Sequence, residues 1–316
     1  MAALVSLDQN CRGGVMSNVL VGSAERLQVI ATYLATKPPA VERMADVGDF
    51  LLRSDHQTIL SAAFDGDVPE GLRRALRRIG PSAQDRRCYT LLHQLLSRPH
   101  HESLTACIYR LSSITRSKLL IARMLPEAIC RANVVEAITD VSAATDVTGA
   151  FEQLVSRGVN ANDLAGAICK VRSESELMNL WHRWLIKLDC PPNPIPASSS
   201  FTPVRSGEEL VSLAKRFRNC GARYLLPVMA GEDAMAVMEH GGESAMVHLR
   251  FSEGRWRCEG VYGPRNSPPS SALREALYEH LERHNVVVLS ASRRKPSEWD
   301  SLRRLMRHRM LDFDFD

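Results

Sequence analysis

Aromatic residues make up only 6% of this 316-residue chain. That scarcity suits packing of helix on helix and argues against a large β sandwich. Long apolar runs are also missing. None reaches the roughly 20 residues needed to cross a bilayer, so no membrane partner is expected. Residues Met1 to Gly14 include Asp8 and Arg12 and show no basic lead into an apolar stretch, so no secretory signal is expected. The eight cysteines are scattered, without a CxxC pair or the short loops of a disulfide framework. That usage favours a reducing compartment, and with it a cytoplasmic location. Cys107, Cys130 and Cys169 lie among helical apolar residues and read as small buried hydrophobes. Walker, GxGxxG, GxSxG and kinase signatures are all lacking, so nucleotide hydrolysis and dinucleotide chemistry are not expected and no cofactor is implied.

What remains is an ordinary globular composition, 45% hydrophobic and 24% charged, in a chain long enough for two domains. From Ser23 to about Leu188 the pattern is helical almost throughout. Ser23 is placed to cap a helix with Leu27, Ile30, Ala31 and Leu34 on one face. Pro38-Pro39 breaks it, and Pro69 opens a segment that Gly80-Pro81 ends. Later helices of about three turns follow at short intervals. Without a fixed period they predict an irregular helical array rather than a named repeat.

The rhythm changes after Cys190. Pro191, Pro192, Pro194, Pro196, Ser198, Ser199, Ser200 and Pro203 oppose any continuing helix, and residues 191–203 read as a linker. Ser206 then caps an amphipathic helix through Phe217. Ala234 to Met238 reads as a short strand, and Ala245–Phe251 with Arg255–Val261 as an antiparallel hairpin. Alternation places Ala245, Val247, Leu249 and Phe251 on one face and Met246, His248 and Arg250 on the other. The second face therefore reads as polar and largely basic, with no aromatic placed for base stacking and Trp256 pointing inward. The expected fold is mainly α: a helical array over 1–190, the linker, then a small α+β domain over 204–316. That domain carries a short antiparallel sheet, a basic C-terminal helix and an acidic-aromatic tail.

Several constellations are candidates for function. Arg218, Asn219, Cys220, Tyr224, Arg265 and Asn266 fall at corners of the α+β unit, where side chains can converge. Arg and Asn there suit a carboxylate, a phosphate or a base edge. Cys220 is a nucleophile if a neighbouring base activates it, and a packing residue otherwise. A second set is electrostatic: Arg73, Arg74, Arg77 and Arg78 in one run, His248, Arg250, Arg255 and Arg257 on the sheet, and Arg303, Arg304 and Arg307 near the end. Such residues either follow phosphates or an acidic protein surface, or form solvated faces. His280 and His284 are one helical turn apart but lack a third ligand, so no metal is expected. The tail Leu311–Asp316 alternates apolar residues with Asp. It reads equally as a strand at the edge of the chain's own sheet or as a docking peptide.

The order Arg218-Asn219-Cys220-x-x-x-Tyr224, a strand pair, then Gly260-Val261-Tyr262-Gly263-x-Arg265-Asn266 and a helix resembles the PcfJ-like family. The resemblance covers roughly residues 200–285. In that family the Asn-Cys pair, the Tyr four residues past the Cys and a Gly-x-x-Asn turn recur. The Gln expected ahead of that turn is replaced here by Val261 and Tyr262, which weakens any site built on it. The resemblance implies a small α+β fold and a bacterial or mobile-element setting, without an established activity. The leading expectation is a non-enzymatic binding or adaptor protein whose basic surfaces engage nucleic acid or an acidic protein. The alternatives are an enzyme with its site at the Asn-Cys and Gly-x-x-Asn turns, or a structural module contacting partners through the helical array.

Overall fold

In the computed structural model, residues 5, 7–9, 14–40, 43–98 and 102–288 are described. The first of two compact units, Met1–Arg183, is helical. Its helices are α1 (Val15–Val21), α2 (Ala24–Thr36), α3 (Met44–Arg53), α4 (His56–Ala63), α5 (Leu72–Arg77), α6 (Arg86–Leu96), α7 (Glu102–Arg110), α8 (Arg116–Met124), α9 (Ala132–Ala137), α10 (Val141–Ser156), α11 (Ala161–Ile168) and α12 (Glu174–Ile186). Short polar side chains start several of them, Ser23 as the sequence suggests. Ser23 accepts from the Arg26 N–H, Asp85 from Cys88, Thr115 from Lys118 and Asp140 from Ala143. Pro126 stops α8 at Met124, and a 3-10 turn over Glu127–Ile129 follows. Helix α2 packs against α4, α5 and α6, and α8 packs against α6, α7, α9 and α10. Among the described residues, no helix is long and apolar enough to cross a membrane.

One buried polar side chain ties the first helices together. Gln28 on α2 is fully enclosed, and its amide donates to the carbonyls of Gly80 (2.6 Å) and Ser82 (3.0 Å). It accepts from the Tyr89 hydroxyl at 2.7 Å. Every polar group it carries is used, so its burial is compatible with a well-packed core.

The second unit, Trp184–Asp316, is an α+β fold. After β1 (Phe201–Pro203) come α13 (Gly207–Phe217), a 3-10 turn over Cys220–Tyr224, and α14 (Leu225–Ala230). Then follow β2 (Asp233–His240), β3 (Glu243–Ser252), β4 (Arg255–Tyr262), a turn over Pro264–Asn266, α15 (Ser271–Arg283) and β5 (Val287–Val288). The strands lie in the order β1-β2-β3-β4-β5. The first four are antiparallel, and β5 is parallel to β4. The sheet is thus mixed, where the hairpin pattern alone suggests an antiparallel one. A two-residue Gly241-Gly242 loop, both glycines at positive φ, joins β2 to β3.

Helices cover both faces of the sheet. On one, Ala236, Met238, Ala245, Val247 and Leu249 pack with Leu273, Leu277 and Leu281 of α15. On the other, Met235, Val237 and Met246 pack with Leu210, Leu213 and Phe217 of α13 and Leu225 and Val228 of α14. This second layer corrects the expectation of an open basic face: His248 is completely buried beneath it.

The proline-serine stretch also differs from a free linker. Phe201–Pro203 is an edge strand paired with β2, and Ile195 and Phe201 are fully buried in the unit's core. Cys190 N–H donates to Arg205 O at 2.7 Å, and Gly207 N–H to Leu188 O at 3.0 Å. Leu185, Ile186 and Leu188 pack against the unit's other cluster, beneath α13 and α14, so the division between the units falls within α12.

Candidate functional site

Helix α13 delivers the first corner. The Ser206 hydroxyl accepts from the Glu209 N–H, and the Glu209 carboxylate accepts from the Arg205 N–H at 2.7 Å, so each side chain satisfies an orphan donor at the helix start. At the other end Asn219 N–H reaches Ala214 O and Arg218 N–H reaches Lys215 O. Arg218 takes the left-handed conformation (φ 50°, ψ 51°), a place glycine normally fills. The chain turns, and the Asn219 side chain accepts from Gly221 N–H at 3.0 Å while its amide meets Met246 Sδ at 3.3 Å. A side chain at Gly221 would meet Met246 Cε at 2.5 Å, so glycine permits this close approach. Asn219 is therefore a half-buried brace between turn and sheet, and Cys220 beside it is exposed.

The second corner arrives through the sheet. Met246, which touches Asn219, pairs across the strands with Tyr262 at the end of β4. The next residues form the Pro264–Asn266 turn, which packs beside α13. Its Arg265 (φ 56°) and Asn266 (φ 58°) are both left-handed, which costs about 1–2 kcal/mol per non-glycine residue. The two bends thus share one end of the sheet, where Arg218, Arg223, Arg265 and Asn266 are exposed. None of these three guanidinium groups meets a carboxylate among the described residues. Neighbouring Arg216 instead bonds Ser244 (3.3 Å) and pairs with Glu239 (3.7 Å).

From the 3-10 turn a buried polar chain runs along β3 toward the opposite end of the strands. Tyr224 from the 3-10 turn lies against the His248 ring, 4.4 Å between centroids. His248 Nε2 is 2.9 Å from Asp233 Oδ2, and Arg250 grips the same carboxylate at 3.0 and 3.3 Å. Arg250 also reaches Glu259 at 3.6 Å. Burial would raise the Asp233 pKa, but the hydrogen bonds and charges of Arg250 and His248 outweigh it and hold the carboxyl below its ordinary range. Burial lowers the His248 pKa against the pull of Asp233. Its Nδ1 is buried with no hydrogen-bond partner. Because His248 is fully enclosed, it cannot reach a substrate or a phosphate.

The remaining sequence candidates divide by their use. The arginine run on α5 is internally employed. Arg73 donates to Glu25 at 2.9 Å, Arg77 lies 3.4 Å from the same carboxylate, Arg78 donates to Leu111 O at 2.7 Å, and Arg74 lies over the Tyr109 ring. Arg257 pairs with Glu253. Arg255 is exposed and unpaired among the described residues. Arg303, Arg304, Arg307 and the Leu311–Asp316 tail lie outside the described residues. The His280 ring is buried against Phe201, with its centroid 5.0 Å from that of His284. Among the described residues, no group of three His, Cys, Asp or Glu side chains is placed to hold a metal.

Three residues here escape a motif reading. Asp233 belongs to no motif, and the signal for it is the two-residue turn, whose register sets it opposite Arg250. Arg223 gives no such signal, since its neighbourhood depends on how α13 and β4 meet. Phe251 alternates into the apolar face as expected, yet stands 48% exposed where α15 no longer covers the sheet. Compared with protein-family models, curated proteins and solved structures, the chain shows no significant match to any of them.

Proposed function

We propose that this is a non-catalytic binding protein whose α+β unit engages nucleic acid through the basic end of its sheet. The observation behind this reading is the set Arg218, Arg223 and Arg265, exposed together and unopposed by carboxylates. Among the described residues, the other arginines discussed above, Arg255 apart, have internal partners, so these three carry a local positive field available to an anion. Asn266 beside them offers a donor and an acceptor to a sugar or base edge. The resemblance of residues 200–285 to the PcfJ-like family adds a bacterial or mobile-element setting to the same proposal. The enzyme alternative has less behind it, because Asn219 is committed to Gly221 and Met246.

The test is a titration of labelled DNA and RNA oligonucleotides at increasing salt. Binding is expected at low salt and is expected to weaken as salt rises, since each neutralised phosphate releases a counterion. Replacing Arg218, Arg223 and Arg265 by Ala together is expected to flatten the log–log salt slope by roughly 2 to 3. A slope unchanged by the triple variant removes this surface from the interface.

A further inference from the structure

The apolar face of the sheet continues past the helix that covers it. Ala245, Val247 and Leu249 lie under α15, but Phe251, next along that face, is 48% exposed. Its cross-strand partner is Trp256, with ring centroids 5.4 Å apart and planes tilted by 57°. Trp256 is half-buried and lines a groove of about 690 Å³ between the β3–β4 hairpin and the end of α15. That volume lies in the range of sites for small organic groups. Arg255, Glu282, His284 and Asn285 are polar members of the lining, and Val287 is an apolar one. Arg255 and Asn285 are exposed, and neither side chain has a partner among the described residues. Asn285 is in the left-handed conformation (φ 58°) just after α15 ends.

We propose that this groove holds an unpaired base of single-stranded nucleic acid. The base lies against the Trp256 indole beside Phe251, and its flanking phosphate meets Arg255. An indole face accepts any base by stacking, and a guanidinium suits the phosphate that follows it. The amide of Asn285 and the carboxylate of Glu282 supply the donor and acceptor that a base edge offers in return. A purely acidic peptide would use Arg255 but leave the aromatic wall idle and would face Glu282. The inference rests on the nucleic-acid reading above and adds to it a base contact at a second place on the unit.

The experiment compares two labelled 12-unit DNA strands on the full chain at 50 mM salt, one with pyrimidine bases and one abasic. Anisotropy is expected to show the base-bearing strand binding at least about fivefold more tightly, the order of one stacked base. Phe251→Ala and Arg255→Ala alter exposed side chains, and Trp256→Phe keeps a ring in the half-buried position. Phe251→Ala is expected to erase most of the base preference and Trp256→Phe to reduce it, both leaving abasic binding unchanged. Arg255→Ala is expected to weaken both strands. Equal binding of the two strands, or a preference unaffected by Phe251→Ala and Trp256→Phe, overturns the proposal while the phosphate-binding reading stands. Absence of binding by either strand overturns both. A polyglutamate chain that binds as tightly as DNA and depends on Arg255 alone would identify an acidic protein as the occupant instead.

Discussion

Asp233 is enclosed with two cations or potential cations around it, and its worth depends on both. Removing Arg250 leaves the enclosed carboxylate without its charged partner, at a cost below that of a fully buried pair because the Arg250 side chain is 42% exposed. The pH response has two windows. His248 has a pKa below its ordinary 6.5 in the folded protein, so as pH falls below that value the unfolded chain binds a proton that the folded chain refuses. Stability therefore drops below about pH 6.5 until the folded-state pKa is passed. Asp233 is also lowered, from an ordinary 3.8, so its contribution is present above that value and lost as pH falls through its folded pKa. Urea unfolding from pH 7.5 down to pH 3 is expected to show both declines. His248→Gln keeps a donor toward Asp233 and is expected to abolish only the upper one. An unchanged decline between pH 7 and 5 in that variant would mean that another group carries it.

At the scale of elements, the starts of the two serine-capped helices and the hairpin strands were legible in the sequence, while the edge strand β1, the parallel β5 and the use of each face were not. Ser23 and Ser206 announce their helices by accepting bonds three residues on, and the double glycine fixes the β2–β3 register. Alternation assigned His248 and Arg250 correctly to one side of β3. It could not show that α13 and α14 fold back over that side, because a layer of helices is a long-range contact with no local period. The same limit hid the use of the arginines on α5, since Glu25 lies 48 residues away from Arg73. The end of α13 shows the opposite conflict, a local rule broken in plain view. Arg218 occupies a glycine position, at a cost that Arg218→Gly would relieve. That substitution is expected to raise unfolding free energy by about 0.5–1 kcal/mol, the gain in backbone freedom of the unfolded chain offsetting part of the relief. It is also expected to weaken nucleic-acid binding. A variant that is more stable and binds as well as the parent would show that the arginine is an accident of composition.

For the molecule as a whole, the placement of the boundary has consequences that a composition shift does not reveal. Prolines and serines advertise a linker because they cannot extend a helix, and that inference about local conformation holds: no helix runs through residues 191–203. What composition misses is that an irregular segment can still be pinned. Ile195 and Phe201 are fully buried in the α+β core, and Phe201–Pro203 completes one edge of its sheet. Leu185, Ile186 and Leu188, from the end of α12 and just after it, pack on the cluster at the sheet's other face. The backbone of Ile186 also comes so near Gly207 that a side chain there would meet its carbonyl at 2.6 Å. A fragment of residues 184–316 keeps all of these and is expected to melt cooperatively with mixed helix and strand signals in circular dichroism. A fragment of 204–316 exposes the sheet edge and loses two large enclosed side chains, each loss costing about 2–5 kcal/mol, against a total stability of only about 5–15. It is expected to be unfolded or aggregated at 25 °C. If the shorter fragment melts at the same temperature as the longer one, the stretch before Val204 is a tether after all, and the core closes without it.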